Sequence, residues 1–257
     1  MNVVGTSIVI PAHDEAERLP ATLRRMAEFA ATYAGLIKEV VIVDDGSRDT
    51  TRDVAETFSS PSFSVRVVSY HPNAGKGYAI RRGVMVARGD AVLLFDADSS
   101  TPIEELVRFL PLLGDADVLI GSRAVDESLT RVRQRWYRQG MGRIFNQIAR
   151  VLTRVPFQDT QCGFKLMRGE VARRIFERAT IDRFAFDVEM IILASVLGYS
   201  VAEVPVVWSN SPDSRVRILR DSFRMLVDVL RIRVRHGTWC DAAIPPPDSV
   251  RSARLEP

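Results

Sequence analysis

The sequence predicts an α/β fold with a twisted, mainly parallel sheet that carries helices on both faces. Short apolar runs typical of buried strands alternate along the chain with longer segments that have helical signals. The second run, Glu39–Val43, is continuous, as in a central parallel strand covered on both faces. Acidic residues follow three of the runs, at the sheet edge where ligands of such folds bind.

The first half of the chain alternates strand and helix, which is the pattern of β-α-β crossovers. Acidic residues after the first strand favour a helix start at His13, because they complement the helix dipole. The predicted strands are Ser7–Ala12, Glu39–Val43, Ser64–Val68, Ala91–Phe95 and Asp117–Ile120. The predicted helices run from His13 to about Tyr33, from Asp49, over Tyr78–Ala87 and over about Ile103–Leu113.

The second half is richer in arginine and is predicted to continue the domain. Its predicted elements are a turn at Thr160–Lys165 that leads into a short strand, helices from Glu170 and from about Arg183, and a strand at Ser200–Trp208. We predict a globular domain over residues 5–212, a basic amphipathic helix over residues 213–237 and a disordered tail over residues 238–257.

The segment Arg215–Arg235 has apolar residues at helical spacing and seven arginines. One interpretation is an ordinary surface helix that packs on the domain. The other is a helix that lies in a membrane interface, with its apolar face down and its arginines on lipid phosphates.

Composition limits the class of protein. With 257 residues, 46% hydrophobic and 26% charged, the chain is long and apolar enough for a globular core, which excludes a disordered protein. Its two cysteines form neither a metal-ligand spacing nor a disulfide framework, so we expect a reducing compartment. We expect neither a signal peptide nor a spanning helix. The net charge of +3 comes without the motifs or interleaved aromatics of a nucleic-acid binder.

Two carboxylates follow the strand Ala91–Phe95. Asp96 and Asp98 are separated by one residue, Ala97. Since side chains alternate along a strand, the two carboxylates are expected on the same side of the chain where the strand ends. Paired carboxylates there suit Mg²⁺ or Mn²⁺, with water and substrate phosphates completing the coordination. A solvated Asp/Ser turn is the alternative.

Several motifs resemble a known enzyme family. Val9–Glu15, Val41–Ser47 and Asp96–Asp98 resemble blocks of the family-2 glycosyltransferases of the GT-A fold. Asp159–Lys165 and Phe184–Glu189 resemble the dolichyl-phosphate β-glucosyltransferases, which move glucose from UDP-glucose to a polyprenyl phosphate. The resemblance covers about residues 7–239. It implies an inverting, metal-dependent transferase that uses Mg²⁺ or Mn²⁺.

The resemblance also implies a donor site at the strand ends. Asp45 would accept the ring N–H of uracil, and Lys76 would reach the diphosphate unless it is simply a solvated loop lysine. Ser100 stands where phosphomannose synthases have a metal-binding Gln, and it would be a weak ligand. The residues implied for the nucleoside are Pro11, His13, Glu15, Val43 and Asp45; those implied for the ribose, metal and diphosphate are Asp96, Ala97 and Asp98.

An acceptor phosphate needs different side chains from a sugar hydroxyl, which requires a general base. It is already an oxyanion near neutral pH, because its second pKa is about 6, so no strong general base is required. The resemblance places Arg123 and Arg138 on this phosphate, which arginine binds in a bidentate way. With Asp98 they form the expected catalytic set. Further residues expected on the acceptor side, with structural or loop roles, are Gln161, Asp187 and Glu189.

The resemblance implies three partners: a UDP-sugar donor, a polyprenyl-phosphate acceptor and a membrane surface. We therefore expect a peripheral protein on the cytoplasmic face of the membrane, with no nucleic-acid partner. The same reaction with N-acetylgalactosamine, N-acetylglucosamine or mannose is one alternative. A nucleotide-sugar or lipid-phosphate binding protein without catalysis is another. Prenyl chain length, metal identity and oligomeric state stay open.

Overall fold

The computed structural model describes residues 5–125, 130–132, 147, 151–153, 155–209 and 218–235. In its first half, strands and helices alternate as the sequence predicts. The strands are β1 (Thr6–Ala12), β2 (Ile37–Asp45), β3 (Ser64–Tyr70), β4 (Ala91–Leu94) and β5 (Val118–Ser122). The helices are α1 (Leu19–Thr32), α2 (Thr51–Thr57), α3 (Lys76–Val86) and α4 (Glu105–Phe109), which continues into a 3₁₀ helix at Leu110–Gly114.

The second half completes the sheet and adds three further helices. Its strands are β6 (Thr130–Val132), β7 (Lys165–Arg168), β8 (Val201–Pro205) and β9 (Trp208–Ser209). Its helices are α5 (Gly169–Arg178), α6 (Phe186–Val196) and α7 (Ile218–Arg235). The predicted strand Ser200–Trp208 is therefore divided into two, β8 and β9.

The described residues form a seven-stranded sheet in the order β3-β2-β1-β4-β7-β5-β8. Only β7 runs antiparallel to its neighbours in this sheet, pairing with both β4 and β5. The other pairs are parallel, which confirms the prediction of a mainly parallel sheet. Strands β6 and β9 form a separate two-stranded sheet.

Alternation along the strands builds a core on each face of the sheet. Val9, Val41 and Val43 point to the face covered by α3, α5, α6 and part of α7. Ile8 and Ile42 point to the opposite face, where α1, α2 and α4 pack. The central strands are therefore apolar on both sides, as the continuous runs in the sequence predict.

The start of α1 differs from the prediction. The helix begins at Leu19 instead of His13, and its first turn contains no acidic residue. Asp14 has a left-handed φ of 54°, which interrupts a helix. The amides of Glu15 and Ala16 donate to the side chains of Thr51 and Asp49, at 2.7 and 3.2 Å. Residues 13–18 are thus a loop at the sheet edge.

A C-terminal helix is present, as predicted, over Ile218–Arg235. One face packs on the domain, since Met225, Val229 and Ile232 are buried in its core, whereas Leu230 and Val234 are exposed. The structure does not describe the predicted tail or residues 210–217, so the three domain boundaries stay predictions. In the part of the chain that the structure describes, none of the helices has the length and apolar character needed to cross a membrane.

Candidate active site

Three strand ends meet at one edge of the sheet. Because β1 lies between β2 and β4 and is parallel to both, the segments after Ala12, Asp45 and Leu94 emerge side by side. Strand β5 runs in the same direction, since both β4 and β5 are antiparallel to β7, so Arg123 also follows a strand at this edge. The structure thus brings the predicted residues Asp45, Asp96, Asp98 and Arg123 to one edge of the sheet, where such folds form their ligand crevice.

Asp45 holds the loop that leads into α3. Its carboxylate accepts hydrogen bonds from the Ala74 N–H at 2.7 Å, the Gly75 N–H at 2.9 Å and the Asn73 side-chain amide at 2.8 Å. Gly75 adopts a φ of 112°, and a Cβ there would collide with the carbonyl oxygen of Asp182. Asp45 therefore fixes the position of Lys76, while its contact with a nucleobase stays a prediction.

The other predicted nucleoside residues lie in β1 and β2 or in the loop that follows β1. His13 Nδ1 lies 2.9 Å from the Asp45 carbonyl oxygen and must donate to it, which fixes the imidazole tautomer. Glu15 accepts two hydrogen bonds from Arg18, at 2.5 and 2.7 Å. Val43 is fully buried in the core, so any contact with a base would be through its backbone. Pro11 is partly exposed near the end of β1.

Asp96 is paired with a lysine in the crevice. Its Oδ1 lies 2.7 Å from Nζ of Lys76, and the two side chains remain 35% and 24% exposed. Burial alone would raise the pKa of Asp96, but the charges of Lys76, Lys165 and Arg123 outweigh it and lower that pKa. The ion pair with Lys76 therefore favours the ionised form of Asp96.

The turn after Asp96 is held by backbone contacts. The Ala97 carbonyl accepts a hydrogen bond from the Thr22 hydroxyl at 2.7 Å, and Ser99 has a left-handed φ of 49°. Asp98 Oδ1 accepts the Ser100 N–H at 3.0 Å, and this is its one hydrogen bond to the described residues. The carboxylate of Asp98 thus keeps lone pairs for a further ligand.

The oxygen donors of this turn fit a hard divalent cation. Asp96 and Asp98 supply two carboxylates, and no group of three or more His, Cys, Asp or Glu side chains among the described residues forms a complete protein cage. Mg²⁺ ordinarily binds through one or two carboxylates plus substrate phosphates and water, which matches this donor set. Ser100 lines a small cavity of about 20 Å³ beside Asp96, and its hydroxyl stays a weak candidate ligand.

Arg123 is held by a carboxylate that the sequence analysis did not single out. Its Nε and Nη2 donate to the two oxygens of Asp159 at 2.6 and 2.8 Å, and its guanidinium lies over the ring of Trp208. Nη1 makes no hydrogen bond to the described residues, and the side chain is 29% exposed. The bidentate pair orients Arg123 and leaves one edge of its fork for an anion. Arg138 lies outside the described residues.

The predicted acceptor-side residues have different surroundings. Asp187, at the start of α6, pairs with the buried Lys165 at 2.6 Å, and burial raises its pKa despite that lysine. Glu189 is fully buried and accepts hydrogen bonds from Thr180 and Ile181. Gln161 donates its N–H to Asp159 at 3.2 Å. The structure thus gives Glu189 a structural role.

Sequence reasoning missed two residues that pack against the predicted site residues, Lys165 and Gly163. Lys165 donates to the Cys162 carbonyl as well as to Asp187, which ties the turn before β7 to α6. Gly163 lies directly against the carboxylate of Asp96, where a Cβ would overlap it. The signal was available in part, since Asp159, Gly163 and Lys165 all lie in a motif that the resemblance singles out.

Comparison with known sequences agrees with this geometry. A model of the family described as "Glycosyl transferase family 2" matches residues 7–176. A dolichyl-phosphate beta-glucosyltransferase of Dictyostelium discoideum is 34% identical over 248 residues, covering 91% of this chain and 76% of the relative. The protein of the same name in Homo sapiens is 33% identical over 253 residues, with the same coverage of 91% and 76%.

Solved structures share the fold at lower sequence identity. Glucosyl-3-phosphoglycerate synthase of Mycobacterium tuberculosis, crystallised with UDP, superposes with a TM-score of 0.65 at 20% identity, covering 93% of this chain and 80% of that one. The same enzyme has been crystallised with Mn²⁺ and UDP-glucose, with a TM-score of 0.62 at 19% identity, covering 93% and 79%. These similarities confirm the predicted GT-A architecture.

Proposed function

Because the chain belongs to glycosyl transferase family 2, we propose that it transfers glucose from UDP-glucose to a polyprenyl phosphate. The observation that carries the proposal is the meeting of Asp96, Asp98 and Arg123 at one sheet edge. Carboxylates there suit a metal–diphosphate donor, and an oriented guanidinium suits an anionic acceptor. The relatives named as dolichyl-phosphate beta-glucosyltransferases support glucose as the sugar and a lipid phosphate as the acceptor.

The reaction is a direct displacement at the anomeric carbon. An oxygen of the acceptor phosphate forms the new bond, the bond from the sugar to UDP breaks, and UDP leaves with the electron pair. The acceptor is ionised near neutral pH, so no side chain has to remove a proton. Inversion converts the α-linked donor into a β-linked lipid phosphate.

Asp96 and Asp98 would hold Mg²⁺ or Mn²⁺, and such an ion, when bound, neutralises charge on the leaving diphosphate. The Mn²⁺ in crystals of the glucosyl-3-phosphoglycerate synthase supports a divalent cation here. In this proposal Lys76 adds a further positive charge beside the diphosphate. His13, Asp45 and the residues around them contact the nucleoside.

Arg123 and Arg138 would align the acceptor phosphate with the anomeric carbon. Asp159 supports this role of Arg123 because it fixes the guanidinium by two hydrogen bonds. Asp187 is paired with Lys165, which argues for a supporting role on the acceptor side.

The lipid acceptor requires contact with a membrane surface. We propose that α7 provides it, on the cytoplasmic face, through the side that does not pack on the domain. Leu230 and Val234 are exposed there, and Arg231 beside them is also exposed although it pairs with Asp228 at 2.9 Å, a pattern suited to anionic lipid. Flotation with anionic vesicles should recover the protein at low salt; a protein that stays unbound at low salt would contradict this part of the proposal.

A donor panel tests the proposed activity. The purified chain is incubated with radiolabelled UDP-glucose, UDP-N-acetylglucosamine, UDP-N-acetylgalactosamine or GDP-mannose, a polyprenyl phosphate and Mn²⁺, and lipid-linked label is counted. We expect label from UDP-glucose to dominate. If label from another donor dominates, glucose is not the transferred sugar. If donors bind and no label reaches the lipid, the chain is a non-catalytic binding protein.

A further inference from the structure

Lys76 places a positive charge on a carboxylate that is a candidate metal ligand. Its ammonium is 2.7 Å from Asp96 Oδ1, and both side chains reach the crevice. The short distance shows a direct ion pair between this ammonium and a carboxylate that a divalent cation would also need.

The backbone of Lys76 is fixed while its side chain is long. Lys76 is the first residue of α3, and the Ala74 and Gly75 amides before it are bound by Asp45. Gly75 is also closely packed against the Asp182 carbonyl. The four-carbon stem of lysine can nonetheless swing its ammonium between neighbouring anions without moving this backbone.

We propose that Lys76 is a positioning residue that couples binding of the divalent cation to binding of the nucleotide diphosphate. Without a donor, the ammonium and a divalent cation compete for Asp96, since like charges repel strongly at such short distances. A diphosphate offers the ammonium a second anionic partner. When the ammonium moves from Asp96 to the diphosphate, the Asp96 carboxylate becomes available to the cation. Coupling of this kind is reciprocal, so the cation also strengthens nucleotide binding. The inference rests on the proposed donor site.

Binding of Mn²⁺ tests the coupling without any measurement of activity. The free Mn²⁺ signal is titrated by electron paramagnetic resonance for the wild type, Lys76→Met, Lys76→Arg and Lys38→Met, each with and without UDP. Lys38 is a matched control because it is an exposed lysine whose ammonium, among the described residues, donates to the Arg88 carbonyl alone, at 2.9 Å.

In the wild type, UDP should tighten Mn²⁺ binding by at least about fivefold, the low end of usual coupling between two sites. Lys76→Met should bind Mn²⁺ without UDP at least about fivefold more tightly than the wild type. UDP should then tighten Mn²⁺ binding by a smaller factor than in the wild type, because only the direct contact of the diphosphate with the cation remains. Lys76→Arg keeps the charge and should behave as the wild type, as should Lys38→Met. Adding Asp96→Asn to Lys76→Met should remove the gain.

Two results would overturn the inference in distinguishable ways. If UDP tightens Mn²⁺ binding to the wild type but Lys76→Met gains nothing without UDP, Lys76 does not compete and the proposed donor site stands. If no variant binds Mn²⁺ with or without UDP, the metal site of the proposed function fails as well. Near-UV circular dichroism checks the fold of each variant, and Lys76→Gln serves as a second neutral substitution.

Discussion

Gly163 shapes the active site by the absence of a side chain. Its Cα lies against the carboxylate of Asp96, in the turn that Lys165 ties to α6. A methyl group there must displace either the turn or Asp96, and an overpacked site typically costs about 1–3 kcal/mol. The position of Asp96 relative to Asp98 thus depends on a residue with no functional group.

Gly163→Ala should therefore lower the rate of glucosyl transfer by about tenfold or more. If misplacement of Asp96 raises the activation free energy by about 1.4 kcal/mol, the rate falls about tenfold. Gly114→Ala is the matched control, since a Cβ at Gly114 meets no atom within 4 Å. Steady-state transfer assays compare the two variants. Equal activities would show that the contact with Asp96 does not position it.

The Arg123–Asp159 pair predicts a pH dependence of stability. Burial alone would raise the pKa of Asp159, but Arg123 outweighs it and lowers that pKa. A lowered folded-state pKa contributes stability that is complete above the ordinary carboxyl pKa of about 3.9 and is lost as pH falls through the folded value. The contribution is thus present at neutral pH.

Asp159→Asn should lower the free energy of unfolding at pH 7 by about 1.5–3 kcal/mol, the range for hydrogen bonds to charged groups. The difference from the wild type should shrink below about pH 4. Urea unfolding at several pH values measures it, with the exposed Asp115→Asn as the control. A difference that grows as the pH falls would contradict the assignment.

Single residues differ in how far the sequence could predict them. Asp96 and Asp98 could be predicted because their spacing and their place after a strand are local signals. The partners of Arg123 and Lys165 could not, because Asp159 and Asp187 lie 36 and 22 residues away along the chain. Which carboxylate meets which cation is decided by tertiary packing.

At the scale of elements, α6 is attached to the site by Glu189. This carboxylate is fully buried in the first turn of the helix and accepts hydrogen bonds from the Thr180 amide and hydroxyl and from the Ile181 amide. These bonds hold the loop that continues to Asp182, whose carbonyl packs against Gly75. Glu189 thus supports the loop in front of Lys76 from the opposite side to Asp45.

Glu189→Ala should lower the free energy of unfolding by at least about 2 kcal/mol, because each buried donor left without an acceptor costs about 1–3 kcal/mol. Glu177→Ala, on the exposed side of α5, should change it by less than about 0.5 kcal/mol. Urea denaturation measures both. A loss for Glu189→Ala no larger than that of the control would refute the structural role.

Elements with local signals were predictable, and those set by distant contacts were not. The strands of the first half follow from their apolar runs. The start of α1 does not, since the amides of Glu15 and Ala16 bind residues that follow β2. The place of β7 between β4 and β5 is likewise fixed by pairing across long separations.

At the scale of the whole molecule, the sheet separates two hydrophobic cores, and the candidate site lies at the carboxyl ends of its parallel strands. Both faces are packed, so the ends of β1, β2, β4 and β5 cannot rearrange freely. Charges that would be costly in the core collect at this edge as pairs. The fold therefore positions the carboxylates of the proposed donor site at the same edge as Arg123 of the proposed acceptor site, with α7 on the same domain as the proposed lipid contact.

The configuration of the lipid product tests this arrangement most directly. The chain is incubated with UDP-glucose, a polyprenyl phosphate and Mn²⁺, and the anomeric coupling of the product is read by NMR for the wild type and Asp98→Asn. We predict a β-linked glucosyl phosphate from the wild type. Folded Asp98→Asn should lose more than about 10- to 100-fold in the rate of glucosyl transfer, which is the usual loss when residues around a metal's ligands are changed. An α-linked product, no lipid-linked glucose from the wild type, or unchanged transfer by Asp98→Asn would contradict the account.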